Sequence, residues 1–97
     1  MTESSGNVFL DIGFPPAEAA VLLAKAELVM ALKRSIESRG LTQRVAARLL
    51  GTDQPTLSKV MSGRTASVTM DLLTKWLHAL GQDVAVAVRP TRKRRAA

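Results

Sequence analysis

Residues 41–64, LTQRVAARLLGTDQPTLSKVMSGR, carry the signals of two short helices joined by a sharp turn. Thr42 can cap the first helix, because its hydroxyl can accept a hydrogen bond from a backbone N–H of the first turn. Gly51 tolerates the positive φ angle that a sharp turn needs, so we expect the first helix to end there. Asp53 can cap a second helix over residues 54–61. The stretch therefore predicts a pair of short helices held at a fixed angle.

The first of these helices has an apolar side, which we assign to Val45, Leu49 and Leu50. Ala46 and Ala47 are small and allow another helix to approach closely. We therefore expect this helix to pack on a core through its larger side chains.

The second helix divides into an inward and an outward face. Leu57, Val60 and Met61 recur at helical spacing, so we expect them to face the core. Five residues remain on the outside: Gln54, Pro55, Thr56, Ser58 and Lys59. The major groove of DNA displays donors and acceptors at its base edges, and a helix that reads them needs polar side chains of this kind. These five are our candidate base-contacting residues.

Two further helices flank this unit. Residues 17–39 are rich in Ala, Leu, Glu and Lys and are followed by Gly40, which predicts a long first helix. Thr69 can cap a last helix that runs to about Leu80. Each helix has an apolar stripe at helical spacing: Leu22, Val29, Leu32 and Ile36 in the first, and Leu73, Trp76, Leu77 and Leu80 in the last. We predict that both stripes are core, with Trp76 either a core residue or an anchor of a dimer interface.

Residues 83–89, DVAVAVR, change from helical spacing to strict alternation, which predicts one β-strand. A single strand cannot satisfy its own backbone hydrogen bonds. Its partner is either the amino-terminal segment at residues 8–12 or a second copy of the chain, and we favour the second copy. The predicted dimer contacts are Trp76, Val84, Val86 and Val88.

Length and composition limit the remaining possibilities. A chain of 97 residues has room for one domain, which we place at residues 15–89, after a partly ordered arm (1–14) and before a basic, disordered tail (90–97). The absence of cysteine and the single histidine, His78, argue against a metal site, and no cofactor is expected. No apolar run is long enough to span a membrane, so we expect a soluble, cytoplasmic protein.

The net charge of +6 is concentrated in two places. Residues 39–64 hold five basic residues and one acid, and residues 89–97 hold five basic residues and no acid. Such clusters attract a phosphate backbone, because neutralising phosphates releases condensed counterions. The pattern favours double-stranded DNA as a partner, and its alternative is an ordinary solvated basic face.

Residues 41–64 resemble the helix-turn-helix of the XRE family, the lambda-repressor and Cro-like regulators. That pattern opens with Leu-Thr-Gln, keeps a small residue in mid-helix, turns at glycine and closes near a Ser-X-X-Glu-X-Gly sequence. The matching residues here are Leu41, Thr42, Gln43, Ala47, Gly51 and the run LSKVMSGR at 57–64. Pro55 departs from the pattern, since the family often has Gln or Arg there, and leaves only an apolar contact to a thymine methyl at that base step.

The resemblance implies a fold and a set of contacts. The fold is all-α, a lambda-repressor-like bundle of four to five helices with a short C-terminal strand, paired across a dimer. Gln54, Lys59 and Ser58 are implied to contact bases, and Gln43 is implied to contact a phosphate or to position the helix. Arg44 and Arg64 are expected to hold phosphates as well. The chain would then be a sequence-specific DNA-binding repressor that acts as a homodimer.

The flanks of this unit resemble the HigA-type antitoxin branch of the family. They comprise a GNVF-D-GFP-type arm, a helix ending ALGQDV, and a valine strand followed by Arg-Pro. The resemblance implies repression of the chain's own operon and a RelE-like or ParE-like toxin as a partner. The candidate toxin contacts are the apolar residues of the arm: Val8, Phe9, Leu10, Ile12 and Phe14. The alternative is a phage or chromosomal repressor without a toxin.

Two other classes of function are alternatives to a DNA-binding repressor: an enzyme and a basic coat protein. An enzyme would need a nucleophile beside a general base or paired carboxylates, but the eight acids are scattered and His78 has no partner nearby in the sequence. We therefore predict no catalytic activity. A basic coat protein would bind any polyanion and would show no preference among DNA sequences.

Overall fold

The computed structural model describes residues 15–90, which form four α-helices. Their bounds are α1 (Pro16–Ser38), α2 (Gln43–Leu50), α3 (Gln54–Met61) and α4 (Met70–Ala79). The all-α prediction is confirmed, and the four helices begin and end within one or two residues of their predicted bounds. The predicted toxin contacts in the arm and the basic tail after Pro90 lie outside the described residues.

Local signals account for the helix ends. The Thr42 hydroxyl accepts a hydrogen bond from the Val45 N–H at 3.2 Å, and the Thr69 hydroxyl accepts one from the Leu72 N–H at 3.0 Å. At the other end, each helix is followed by a glycine with a positive φ angle: Gly40, Gly51, Gly63 and Gly81. Side-chain caps at the starts of α2, α3 and α4, and a glycine after each of the four helices, account for these bounds, whereas α1 begins after Pro15 without a side-chain cap.

One hydrophobic core joins all four helices, and α1 packs most extensively against α4. Its members are Val29, Leu32, Ile36, Ala46, Ala47, Leu57, Val60, Val68, Leu73, Trp76, Leu77 and Leu80. The predicted stripes of α1 and α4 supply most of this core, with Leu22 only partly buried. The core holds the α2–α3 pair against the long first helix.

The side of α2 that packs on the core differs from our prediction. Ala46 and Ala47 are buried, whereas Val45 and Leu49 are 40% and 51% exposed and Leu50 is partly buried. In an α-helix, Val45 and Leu49 share a face that points about 180° away from Ala47. The small alanine side chains let α2 approach the core closely, and this leaves the larger residues on the surface.

The predicted strand at residues 83–89 is wrong for the single chain, because residues 82–90 have no regular secondary structure. Within residues 15–90, no other segment forms a β-ladder with it. Val84 is partly buried against the core, while Val86 and Val88 are 81% and 91% exposed.

The prediction of Trp76 as a dimer contact also needs correction. Its side chain is 3% exposed and lies among the core residues of its own chain. Because α1 and α4 pack together over it, the indole is unavailable to a second copy. The core alternative for Trp76 is the one that the structure bears out.

Candidate nucleic-acid interface

The turn between α2 and α3 is set by backbone hydrogen bonds. Gly51 has a φ angle of 75°, and its N–H donates to the carbonyl of Arg48 at 3.2 Å. The next N–H, of Thr52, donates to the carbonyl of Ala47 at 2.9 Å. These two bonds form a Schellman motif, which satisfies carbonyls at the end of α2. A Cβ at Gly51 would meet nothing within 4 Å, so the backbone angle and not the available space calls for glycine.

The first turn of α3 is capped by Asp53. Its carboxylate accepts a hydrogen bond from the Thr56 N–H at 2.7 Å. The pKa of Asp53 lies below its usual value. The largest cause is hydrogen bonding with the Thr56 side chain, followed by the hydrogen bond from the Thr56 backbone N–H. The positive charge of Lys59 also lowers the pKa, whereas desolvation raises it less than the hydrogen bonds lower it. Asp53 is therefore ionised at neutral pH and fixes the angle at which α3 leaves the turn.

The outward face of α3 is the one that the sequence predicts. Leu57 and Val60 are 0% and 2% exposed and anchor the helix in the core, while Met61 is partly buried. The five candidate base-contacting residues are all exposed: Gln54, Pro55, Thr56, Ser58 and Lys59. One short helix therefore presents all five to solvent. Thr56 differs from the others because its N–H also completes the Asp53 cap.

The predicted phosphate-binding residues border this helix in the sequence. Gln43 and Arg44 lie in the first turn of α2, where Gln43 is partly buried and Arg44 is exposed. Arg64 is exposed two residues after the last turn of α3 has closed at Ser62. The N–H of Arg64 donates to the carbonyl of Lys59 at 3.0 Å, which holds Arg64 close to the end of α3.

A further basic residue, Arg48, was not among the predicted contacts. It is exposed, and it follows Arg44 by four residues on α2, so the two lie on one face of that helix. Within residues 15–90 the ion pair recorded joins Lys75 to Asp71 at 3.5 Å, and no carboxylate there pairs with either arginine. The clustering of charge over residues 39–64 was the signal that could have found Arg48.

The loop that follows α3 is tied to α1 by a long-range contact. The Lys25 ammonium donates a hydrogen bond to the carbonyl of Thr65 at 3.1 Å, across 40 residues of sequence. Thr65 and Val68 are both buried. This hydrogen bond fixes the loop after α3 against α1, and no local sequence pattern predicts it.

Residues 15–90 contain no group of His, Cys, Asp or Glu side chains arranged to hold a metal ion. None of the four helices is both long enough and apolar enough to cross a bilayer. Within residues 15–90, α2 and α3 together present exposed polar side chains and the positive charges of Arg44 and Arg48 on their surface.

Comparison with known proteins decides the family. A family model described as a helix-turn-helix domain matches residues 8–89. The chain belongs to the helix-turn-helix family. A solved chain described as a "Putative XRE Family Transcriptional Regulator" is 34% identical, covers 86% of this chain and 91% of its own length, and superposes with a TM-score of 0.69. None of the curated proteins compared with the chain matches it.

The helix-turn-helix is thus α2, the turn at Gly51, and α3, and the similarity to the solved chain makes it one of the XRE type. The predicted XRE membership is confirmed. The narrower resemblance to HigA-type antitoxins stays a prediction.

Proposed function

We propose that this XRE-type protein binds double-stranded DNA sequence-specifically and represses transcription. The observation that supports this most is the division of α3 into a buried anchor, Leu57 and Val60, and an outward face of polar side chains. B-form DNA admits an α-helix into its major groove, where base pairs differ in their donors and acceptors. An exposed helix with polar side chains and unpaired basic residues nearby fits that groove in shape and in charge.

Each outward side chain has a definite chemical role in this proposal. Gln54, in the first turn, can make two hydrogen bonds to an adenine edge. Ser58 can donate or accept at either kind of base edge, and Lys59 can reach a guanine or a phosphate. Pro55 offers only an apolar contact to a thymine methyl. Thr56 completes the Asp53 cap through its backbone N–H, and its exposed side chain stays a proposed base contact.

Phosphate contacts would fix the register of the helix on the duplex. Arg44 and Arg64 supply positive charge on either side of α3 in the sequence, and Gln43 supplies a polar side chain at the start of α2. The amino terminus of α2 adds backbone N–H groups that favour an anion. Such contacts carry affinity and salt dependence but no sequence information.

The experiment that tests this function is a binding-site selection with the full-length chain and a random DNA pool. We expect enrichment of one motif with two half-sites about 34 Å apart, as two reading helices on one face of the duplex require. A pool that binds without enrichment would overturn the proposal and would favour the basic coat protein, which binds any polyanion.

We further propose that the protein acts as a homodimer and as the antitoxin of a toxin–antitoxin operon. The resemblance of the flanks to HigA-type antitoxins supports the second role, with a RelE-like or ParE-like toxin as the partner. The apolar arm residues offered as contacts are Val8, Phe9, Leu10, Ile12 and Phe14. Removal of residues 1–14 should then abolish toxin binding and leave operator binding intact.

The rival to the antitoxin role is a phage or chromosomal repressor with no toxin partner. Co-expression with the product of any small reading frame adjacent to the gene separates the two. Growth arrest by that product alone, relieved by this protein, supports the antitoxin role. A neighbourhood without such a frame supports the rival.

A further inference from the structure

Helix α1 has a second apolar stripe besides the one that packs on the core. Its members recur at spacings of four, three and four residues: Ala19, Leu23, Ala26 and Met30. Residues at such spacings lie on one side of a helix, and this side is about 100° around the axis from the core stripe of α1. Leu23 and Ala26 are partly buried, and Met30 is 56% exposed. The four-helix core therefore does not account for this side of α1.

The burial of Ala19 shows that the second stripe is covered at its start. Ala19 is 0% exposed, yet it is not a member of the core that joins the four helices. Its neighbours Ala17, Ala20 and Val21 are all exposed. The cover at the beginning of α1 is thus confined to the side that carries the second stripe.

A groove continues this stripe towards the middle of α1. It has a volume of about 240 Å³ and lies between α1 and the loop after α3. Ala26 and Met30 belong to its α1 wall, and Met61 and Thr65 line the other wall. The stripe and the groove together form one apolar surface, the α1 surface, which runs about 17 Å from Ala19 to Met30.

The segment that precedes α1 has an apolar pattern that matches the α1 surface. Residues 8–14 read Val-Phe-Leu-Asp-Ile-Gly-Phe, in which every second residue is large and apolar: Val8, Leu10, Ile12 and Phe14. In an extended segment these residues share one face. Two residues of an extended segment advance about 6.6 Å, and four residues of a helix advance about 6.0 Å. The two patterns therefore stay aligned over the length of the α1 surface.

Position and length also favour this segment. Pro15 has an extended backbone, with a φ angle of −57° and a ψ angle of 147°, and leads directly into α1. Gly13 and Pro15 are residue types at which a chain readily turns back. An extended chain from residue 8 to residue 14 spans about 20 Å, which is about the distance from the start of α1 to Met30. The family model also begins at residue 8, so the matched domain includes this segment.

We propose that residues 8–14 fold back along α1 as an extended segment and cover the α1 surface with their alternate apolar side chains. Ile12 then lies over Ala19, and Leu10 lies over Leu23. Because the segment is joined to α1, its local concentration at this surface exceeds that of a separate molecule. This favours the chain's own segment over a second copy or another protein as the occupant.

The docking divides the five arm residues that are proposed as toxin contacts. Val8, Leu10, Ile12 and Phe14 are turned towards α1, and Phe9 is turned away from it and stays available to a partner. The assignment of Phe9 to a partner rests on the proposed function. The docking itself concerns the free chain and does not depend on it.

Two neighbouring substitutions test the alternation. Leu10→Ser removes an apolar side chain from the docked face and should lower Tm by about 5 °C. Phe9→Ser, the matched control, alters the outward face and should change Tm by less than about 2 °C. An unchanged Tm in Leu10→Ser would overturn the docking. Equal losses in the two variants would overturn the alternation, and with it the extended segment.

A double variant tests whether this segment is what covers Ala19. Ala19→Arg places a charged side chain at the covered position and should lower Tm, whereas Ala20→Arg, at an exposed position in the same turn, is the control. If the segment covers Ala19, the double variant Leu10→Ser/Ala19→Arg should lose little more than the larger of the two single losses. Additive losses would mean that another part of the molecule covers Ala19 and would contradict the proposal.

Disulfide trapping tests the register, because the natural chain contains no cysteine. Mild oxidation of the dilute double variant Leu10→Cys/Leu23→Cys should give an internal disulfide. Leu10→Cys/Val21→Cys is the matched control and should stay reduced, since Val21 is 47% exposed on nearly the opposite side of α1. No trapping in either variant, or equal trapping in both, would overturn this register. A covalent dimer would mean that a second copy supplies the segment, which also overturns the proposal.

These measurements use neither DNA nor a partner protein. A chain that docks its segment but shows no sequence preference in the binding-site selection would contradict the proposed function and leave this docking standing. A sequence-specific chain in which Leu10→Ser leaves Tm unchanged would do the reverse.

Discussion

The ammonium group of Lys25 in α1 and the carbonyl oxygen of Thr65, just beyond α3, are joined by a hydrogen bond of 3.1 Å. Lys25→Met keeps the apolar stem and removes this bond, so we expect the free energy of unfolding to fall by about 1 kcal/mol. Urea unfolding measures the change. Lys33→Met, which removes an exposed charge from the same helix, is the control. An equal fall in the free energy of unfolding in this control would mean that the bond from Lys25 to Thr65 does not stabilise the fold.

The Asp53 cap predicts a pH dependence of stability. Because the folded pKa lies below its ordinary value of 3.8, this carboxylate stabilises the fold fully above that value and loses its contribution as the pH falls through the folded pKa. Asp53→Asn keeps a capping oxygen but does not titrate. The difference in Tm between the natural chain and this variant should therefore shrink below about pH 4. A difference that is constant from pH 7 to pH 2 would contradict the assignment.

Ser35 offers a stabilising substitution. Its side chain is 5% exposed, and among the described residues its hydroxyl has no hydrogen-bond partner. Ser35→Ala removes this unsatisfied group and raises helix propensity, so we expect a gain of about 1 kcal/mol in the free energy of unfolding. Ser38→Ala on the same helix is the control, because that hydroxyl is exposed and already donates to the carbonyl of Ser35. A loss of stability in Ser35→Ala would mean that the hydroxyl has a partner.

Leu57 and Leu49 of the helix-turn-helix should contribute differently to the free energy of unfolding. Leu57→Ala removes a fully buried side chain and is expected to destabilise the protein by about 2 to 5 kcal/mol. Leu49→Ala alters a side chain that is half exposed and should cost less than about 1 kcal/mol. Thermal unfolding of both variants makes the comparison. Similar costs would mean that the apolar side of α2 is covered after all.

The last prediction separates base reading from general attraction. Gln54→Ala should weaken operator binding by about 1 to 3 kcal/mol and relax the preference at one base pair, with little change in non-specific binding. Arg44→Ala should weaken all sequences alike and lower the salt slope by about one unit, as the loss of one phosphate contact requires. Fluorescence anisotropy on cognate and random duplexes over a salt series measures both. An unchanged ratio of cognate to random affinity in Gln54→Ala would refute α3 as the reading helix.

Local signals explain why so much of this fold could be predicted. Capping residues such as Thr42, Asp53 and Thr69 act on N–H groups three residues away, so a short window of sequence contains both partners. The inward and outward residues of α3 could be predicted for a similar reason. Its large apolar residues, Leu57, Val60 and Met61, all lie on one side, and the polar residues and Pro55 lie elsewhere, so the helix has only one possible apolar face.

The features that the sequence did not predict depend on contacts between residues far apart in the sequence. Helix α2 has two sets of apolar residues, and only the closeness of its neighbours selects Ala46 and Ala47 over Val45 and Leu49. The bond from Lys25 to Thr65 leaves no periodic trace in the sequence. The alternation at residues 83–89 predicts a strand, but a strand forms only beside a second strand, and residues 15–90 of one chain do not supply it.

The separation of Leu57 and Val60 from the exposed side chains of α3 has a consequence for how such a protein diversifies. Substitutions at Gln54, Ser58 or Lys59 meet solvent and no core atom, so they carry little penalty in stability. If α3 reads DNA as we propose, a duplicated gene could therefore give a protein with new target sites through changes at these three surface positions, without loss of the fold.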